Sequence, residues 1–200
     1  MVRGSPVCII DTETTGLQSG FHELIEVAAI RIDRDTREAK TFYFRPMRPD
    51  RASDRALEVN GWSQDRWARL PHPQSPKGLE QYTDLIDMCQ RCYIIGHNVG
   101  FDLEFLREHL RIHGMTRRAE KARSALSRPK IRGEIDTIGL TWLALGNRVD
   151  RLSLDHLRER FPQIAGGAPH TAMGDAQTLE NLIRMIDPNA LPPGEQPWIP

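Results

Sequence analysis

The stretch Val7 to Gly16 reads Val-Cys-Ile-Ile-Asp-Thr-Glu-Thr-Thr-Gly, an apolar strand that ends by placing two carboxylates, Asp11 and Glu13, two residues apart. Side chains along a strand alternate between faces, so positions i and i+2 point the same way. Two acids therefore share one small patch beside a buried strand. Like charges so close raise each other's pKa, and a chain that keeps such a pair is expected to hold a cation there.

The rest of the chain tells what frames that strand. Leu24 to Ile32 is an apolar, β-branched run, Asp33 to Arg37 reads as a turn, and Lys40 to Arg45 alternates as a third strand. Arg51 to Asn60 predicts a short helix stopped at Asn60-Gly61. Pro71 to Lys77 holds three prolines in seven residues and must be a connection. Leu79, Tyr82, Leu85, Ile86 and Cys89 then recur at helical spacing. Cys92 to Ile95 is a short buried strand broken by Gly96-His97-Asn98, and Phe101 to about His113 continues as a helix. Ile135 to Thr137 reads as a last strand, followed by helices at about Ile138 to Leu145, Ser153 to Phe161 and Ala172 to Ile186. The order β-β-β-α-β-α-β-α predicts an α/β fold, a mixed sheet flanked by helices with the first strand central.

A chain of 200 residues suits one domain, expected over 1–187. Residues 188–200 carry five prolines in thirteen positions and are expected to form an extended or disordered tail. Charge is balanced, with 27 basic and 27 acidic residues, but its distribution is uneven. From Arg111 to Arg132 eight basic residues face one acid, Glu120. This excursion, about 111–133, either guides a phosphate backbone or is a solvated helix face. No apolar run approaches a membrane span, and no export signal is visible. Three cysteines, Cys8, Cys89 and Cys92, are too few for a disulfide scaffold and favour a reducing, cytoplasmic setting. Cys89 and Cys92 lack further zinc ligands at recognisable spacing and are expected to be ordinary thiols.

Two more acids stand out by position. Asp102 follows the Gly96 to Gly100 break, where a strand gives way to a helix and open sheets build their sites. Asp175 shares a helix face with Leu179 and Leu182, a core-facing stripe. Either could simply cap its helix, but together with Asp11 and Glu13 they suggest one acidic site. His170 lies five residues before Asp175, after the flexible Gly166-Gly167-Ala168-Pro169. Near such a site it can take a proton from water at neutral pH. Asp33, Asp35, Asp136 and Asp155 are expected in turns and caps.

The blocks Ile10-Asp11-Thr12-Glu13-Thr14-Thr15-Gly16-Leu17, Gly96-His97-Asn98-Val99-Gly100-Phe101-Asp102 with Phe105-Leu106, and His170-Thr171-Ala172-Met173-Gly174-Asp175-Ala176 resemble the three motifs of the DEDDh 3′-to-5′ exonucleases. That group includes the proofreading subunit of bacterial replicative DNA polymerase. Glu134 to Thr137 and Leu152 to Asp155 also fit, so the resemblance covers about Pro6 to Ile186. It implies a ribonuclease H-like five-stranded sheet and two divalent cations, Mg²⁺ or Mn²⁺, held by Asp11, Glu13, Asp102 and Asp175, with His170 as general base. Two such ions clamp a scissile phosphate, and the expected product is a nucleoside 5′-monophosphate.

By the same resemblance Thr14, Thr15 and Gly16 would line the terminal nucleotide, with His97 and Asn98 beside it or else forming a hydrogen-bonded turn. Relatives usually carry His-Gly where this chain has Asn60-Gly61, which leaves Asn60 to supply the contact. Trp62 either stacks on a base or belongs to the core. The expected activity is release of nucleotides from single-stranded or frayed DNA, with RNA trimming as the alternative. A catalytically silent nucleic-acid-binding or polymerase-docking module is the alternative of another class. A DNA polymerase is an expected partner and a membrane is not.

Overall fold

The computed structural model describes residues 5–113 and 131–192. Five strands form one sheet in the order β3-β2-β1-β4-β5. β1 (Val7–Thr14) is central, antiparallel to β2 (Leu24–Ile32) and parallel to β4 (Tyr93–Gly96). β3 (Arg37–Tyr43) is antiparallel to β2, and β5 (Gly133–Asp136) is parallel to β4. This is the mixed sheet expected from the element order, in the ribonuclease H-like architecture that the resemblance implies. β3 starts earlier than its apolar alternation suggests, because Arg37 and Glu38 pair with Ile32 and Arg31. Pairing partners extend that strand where its own side chains carry no apolar signal.

Helices cover both faces. Cys8 and Ile10 point to one face, where they pack with α3 (Pro76–Cys89) and α4 (Val99–Ile112) through residues such as Leu85, Leu103 and Phe105. Val7 and Ile9 point to the other, where they meet Ala176, Leu179 and Leu182. Those three residues belong to the last helix, Ala172–Ile186. Alternation along one strand thus divides the core in two. A smaller cluster holds Ile25, Trp62 and Trp67, beside α1 (Asp54–Asn60) and α2 (Gln64–Trp67). Gly61 ends α1 at φ 66°, with its N–H bonded to Leu57 O, the left-handed stop expected at Asn60-Gly61. Four-residue α2 is too short to show a period.

The remaining helices are α5 (Thr137–Leu145), α6 (Leu154–Arg160) and, as α7, Ala172–Ile186. Leu191 is buried among the apolar residues under α7, so packing continues past Pro188, where the tail was expected to begin. Residues 193–200 lie outside the described residues, as does most of the basic excursion, 114–130. Of its described members, Arg111 pairs with Glu108 and Arg132 donates to Arg91 O. Among the described residues no helix is long and apolar enough to cross a membrane. All three cysteines are free and buried, as expected of structural thiols.

Candidate active site

β1 carries Asp11 and Glu13 on the face covered by α7, and the first turn of α7 carries Asp175. Thr171, not Asp175, caps that helix, its hydroxyl accepting from Gly174 N at 3.1 Å. Asp175 is thereby left free to face the strand. One ligand atom from each of Asp11, Glu13 and Asp175 lies within 4.8 Å of the other two.

Asp102 approaches from the opposite side of the sheet, because it rides on α4. It is 4 % exposed, sits inside its helix with Asn98 at the N-cap, and accepts from the Thr12 hydroxyl at 2.7 Å. Thr12 points away from Asp11 and Glu13, so the structure groups three of the four acids and holds the fourth behind them. The charge of Asp102 nevertheless acts on Asp11.

Burial and mutual repulsion set the electrostatics. Burial, then the charges of Asp102, Asp175 and Glu13, push the Asp11 carboxyl well above the usual range. Glu13 is pushed up to about 8, by burial first and then by Asp175 and Glu26. Asp102 is raised to about 7, chiefly by burial. Burial also raises Asp175, against the pull of Arg158. Hard oxygen donors crowded until they resist ionising are the donor set that suits Mg²⁺ or Mn²⁺.

The wall beside this patch is held from within. The Thr14 hydroxyl donates to Gly16 O at 2.6 Å, and the Thr15 hydroxyl accepts from Glu23 N at 2.8 Å. A Cβ on Gly16 would come within 2.2 Å of the His22 ring, so a larger residue in this turn would have to displace that ring. Asn60 donates to Thr14 O at 3.1 Å, tying α1 to the end of β1. Behind it, Trp62 is 6 % exposed and its indole N–H donates to Glu26 at 3.3 Å. The Arg66 guanidinium lies 4.1 Å over its ring. Trp62 therefore takes the core position of the two expected, and a base does not find its ring open.

His97 spends both ring nitrogens internally, on the Thr137 hydroxyl at 2.8 Å and Leu152 O at 2.6 Å. Asn98 takes φ 70° and its N–H donates to Asp136 at 3.1 Å. The turn reading thus holds for His97, while the Asn98 side chain stays exposed. Asp136 caps α5 as expected. Asp155 does more than the cap expected of it. Ser153 is the N-cap of α6, and the Asp155 carboxylate faces His170 Nε2 at 3.6 Å and Arg158 at 3.2 Å. His170 is half-exposed beside the acids, with φ 55°.

Arg158, which the sequence reading did not single out, completes the arrangement by pairing with Asp175. A signal was there. Leu154, Leu157, Arg158 and Phe161 share one helical stripe, and a charge on an apolar stripe requires a buried partner.

A buried polar group of another kind fastens the base of the loop before β2. Glu23 accepts from Met47 N and Arg48 N at 3.0 and 2.6 Å, and lies 3.6 Å from the Arg48 guanidinium. His113 Nε2 is 4.0 Å from its second oxygen, and His109 packs against Phe44, Tyr82 and His113.

With that geometry in view, the profile of one family, RNase_T, described as exonuclease, matches residues 8–183. The chain is 28 % identical over 199 residues to ribonuclease T of Baumannia cicadellinicola subsp. Homalodisca coagulata, covering 90 % of this chain and 83 % of that protein. It is 30 % identical over 184 residues to a DNA polymerase III subunit epsilon-like protein of Rhodobacter capsulatus, covering 89 % of this chain but 23 % of the relative. In fold it is similar to E. coli exonuclease I in complex with a dT13 oligonucleotide, with a TM-score of 0.69 at 20 % identity, covering 92 % of this chain and 42 % of that one. The chain thus spans less than half the length of the latter two proteins.

Proposed function

The chain belongs to the RNase_T exonuclease family of the DEDDh type, and from that premise we propose that it is a metal-dependent 3′-to-5′ exonuclease releasing nucleoside 5′-monophosphates from single-stranded or frayed ends. The observation that carries the reading is the trio Asp11, Glu13 and Asp175, whose ligand atoms lie within 4.8 Å of one another at the end of the central strand. With Asp102 behind them, these residues hold two divalent cations, Mg²⁺ or Mn²⁺. Bound there, the cations supply Lewis acidity toward the scissile phosphate and its attacking water.

The protein's own groups do the rest. His170, half-exposed and at the rim of the acids, is the general base that takes the water's proton. Asp155 faces its Nε2 and stabilises the imidazolium that results. Thr14, Thr15 and Gly16 offer the terminal nucleotide a rigid wall, since their hydroxyls and ring contact are already committed. Asn98 and Asn60 contact the terminal nucleotide in this reading, and His97 positions Asn98 rather than touching substrate. The protein works in the cytoplasm as one domain whose packing runs past 187, and the basic segment guides the phosphate backbone past acids that would otherwise repel it.

DNA is the favoured substrate, in line with the oligonucleotide bound to the similar exonuclease I fold. The relative named ribonuclease T supports RNA trimming as the second reading. Association with a DNA polymerase draws on the epsilon-like relative. The deciding experiment is a timed digestion of matched end-labelled DNA and RNA strands with Mg²⁺, with Mn²⁺ and with a chelator. Mononucleotide release from the 3′ end that needs metal is the expected result. Cleavage of closed circular single strands, or release undiminished by the chelator, would overturn it.

A further inference from the structure

Arg158 is held by three residues of one helix face. Its Nε and Nη2 donate to the Thr178 hydroxyl at 3.2 and 2.9 Å, and Nη2 also reaches Gly174 O at 3.4 Å and the Asp175 carboxylate. Nη1 donates to Asp155 at 3.2 Å. The side chains of Arg158 and Asp175 are only 11 % and 14 % exposed. A guanidinium so anchored is not a loose surface ion pair, whose two ends exchange freely with water. Its positive charge acts on Asp11 as well as Asp175, so one fixed cation already sits against a cluster that calls for cations.

We propose that Arg158 is a positioning residue that tunes the metal centre, keeping Asp175 aimed at Asp11 and Glu13 while lowering the affinity of the cluster for divalent cations. The inference rests on the metal-centre reading above. Its physical content is simple: one carboxylate oxygen of Asp175 is engaged by Arg158, and a like charge a few ångströms from an incoming cation opposes its binding. Asp155 shares the guanidinium with Asp175 and also faces His170, so the same arginine joins the general base to the acid cluster. A purely structural staple between α6 and α7 would predict only lost stability when it is changed. A resident counter-cation predicts a gain in metal binding.

Direct Mn²⁺ titration followed by electron paramagnetic resonance, with all variants in the same buffer, separates the two. Arg158→Gln, and Arg158→Met as a second neutral variant, should bind Mn²⁺ about tenfold more tightly than the parent chain. Arg158→Lys, which retains the charge, should stay within about twofold of it. Circular dichroism identifies the variants that fold. Unchanged or weaker binding by the folded neutral variants, or equal tightening in Arg158→Lys, overturns the inference while leaving the metal centre intact. Failure of the parent chain to bind Mn²⁺ would remove the metal centre itself, and the inference with it.

Discussion

Two polar clusters flank β1 and differ first in sign: Asp11, Glu13 and Asp175 are part-buried, whereas Glu23, His109 and His113 are buried. Asp11, Glu13, Asp175 and Asp102 are all acids, and each raises the cost of ionising its neighbours. Glu23, Arg48, His109 and His113 mix both signs with neutral rings, and one oxygen of Glu23 accepts from two backbone amides and lies 3.6 Å from Arg48. The second cluster balances its charge within itself, although Glu23 Oε1, Arg48 Nε and Nη2, and the Nε2 atoms of His109 and His113 have no hydrogen-bond partner among the described residues. The first needs charge from outside, which is what a site does.

The sharpest test of that contrast removes an acid. Asp175→Ala should reduce nucleotide release to background while the protein stays folded, read by digestion of an end-labelled strand alongside circular dichroism. His170→Ala should slow release by about a thousandfold with the acids intact, and a rate near the parent's would take the general base away from His170. Denaturant unfolding then compares the clusters directly. Glu23→Ala should cost about 3 kcal/mol, because it leaves the Met47 and Arg48 amides without their acceptor. Asp11→Asn should have the opposite sign, stabilising the chelator-treated protein by about 1 kcal/mol through relief of repulsion. Loss of stability in both variants would erase the distinction drawn here.

Acidity should separate the clusters as well, each acting on its own limb. Burial lowers His113 from 6.5 to about 4 and lowers His109 well below its ordinary value. The unfolded chain therefore takes up protons that the folded one refuses, and stability falls as pH drops from 6.5 toward 4. Glu13 runs the other way. Its carboxyl is raised from 4.5 to about 8, so its contribution is complete below 4.5 and is lost as pH climbs to about 8. Without metal, the urea midpoint should peak in mildly acidic buffer, and Mg²⁺ should lift only the alkaline side. His113→Gln should flatten only the acidic side.

Elements set by local pattern were legible in the sequence. Leu24–Ile32 and Ala172–Ile186 fall where apolar spacing puts them, and Gly61 stops its helix because only its own backbone is at stake. The acidic trio was legible too, since strand alternation and one helix face suffice to aim three side chains. What failed to show depended on partners remote in sequence. His97 is spent on Leu152 O, 55 residues away, and Trp62 on Glu26, 36 residues away. Both look available as residue types and are committed by the fold. Asp102 was legible as a member of the site but not as its rear member, because its side of the sheet follows from how α4 packs.

The division of the acids between the first strand and the last helix also sets a schedule for biosynthesis. Chains leave the ribosome from the N-terminus, and domains fold as their segments emerge. A nascent chain that has made β1, β2 and β4 holds Asp11 and Glu13 but lacks Asp175, and the face of the sheet that α7 covers is bare. Cation binding and completion of the core therefore arrive together, with the docking of one helix. An unfinished chain has no working nuclease centre.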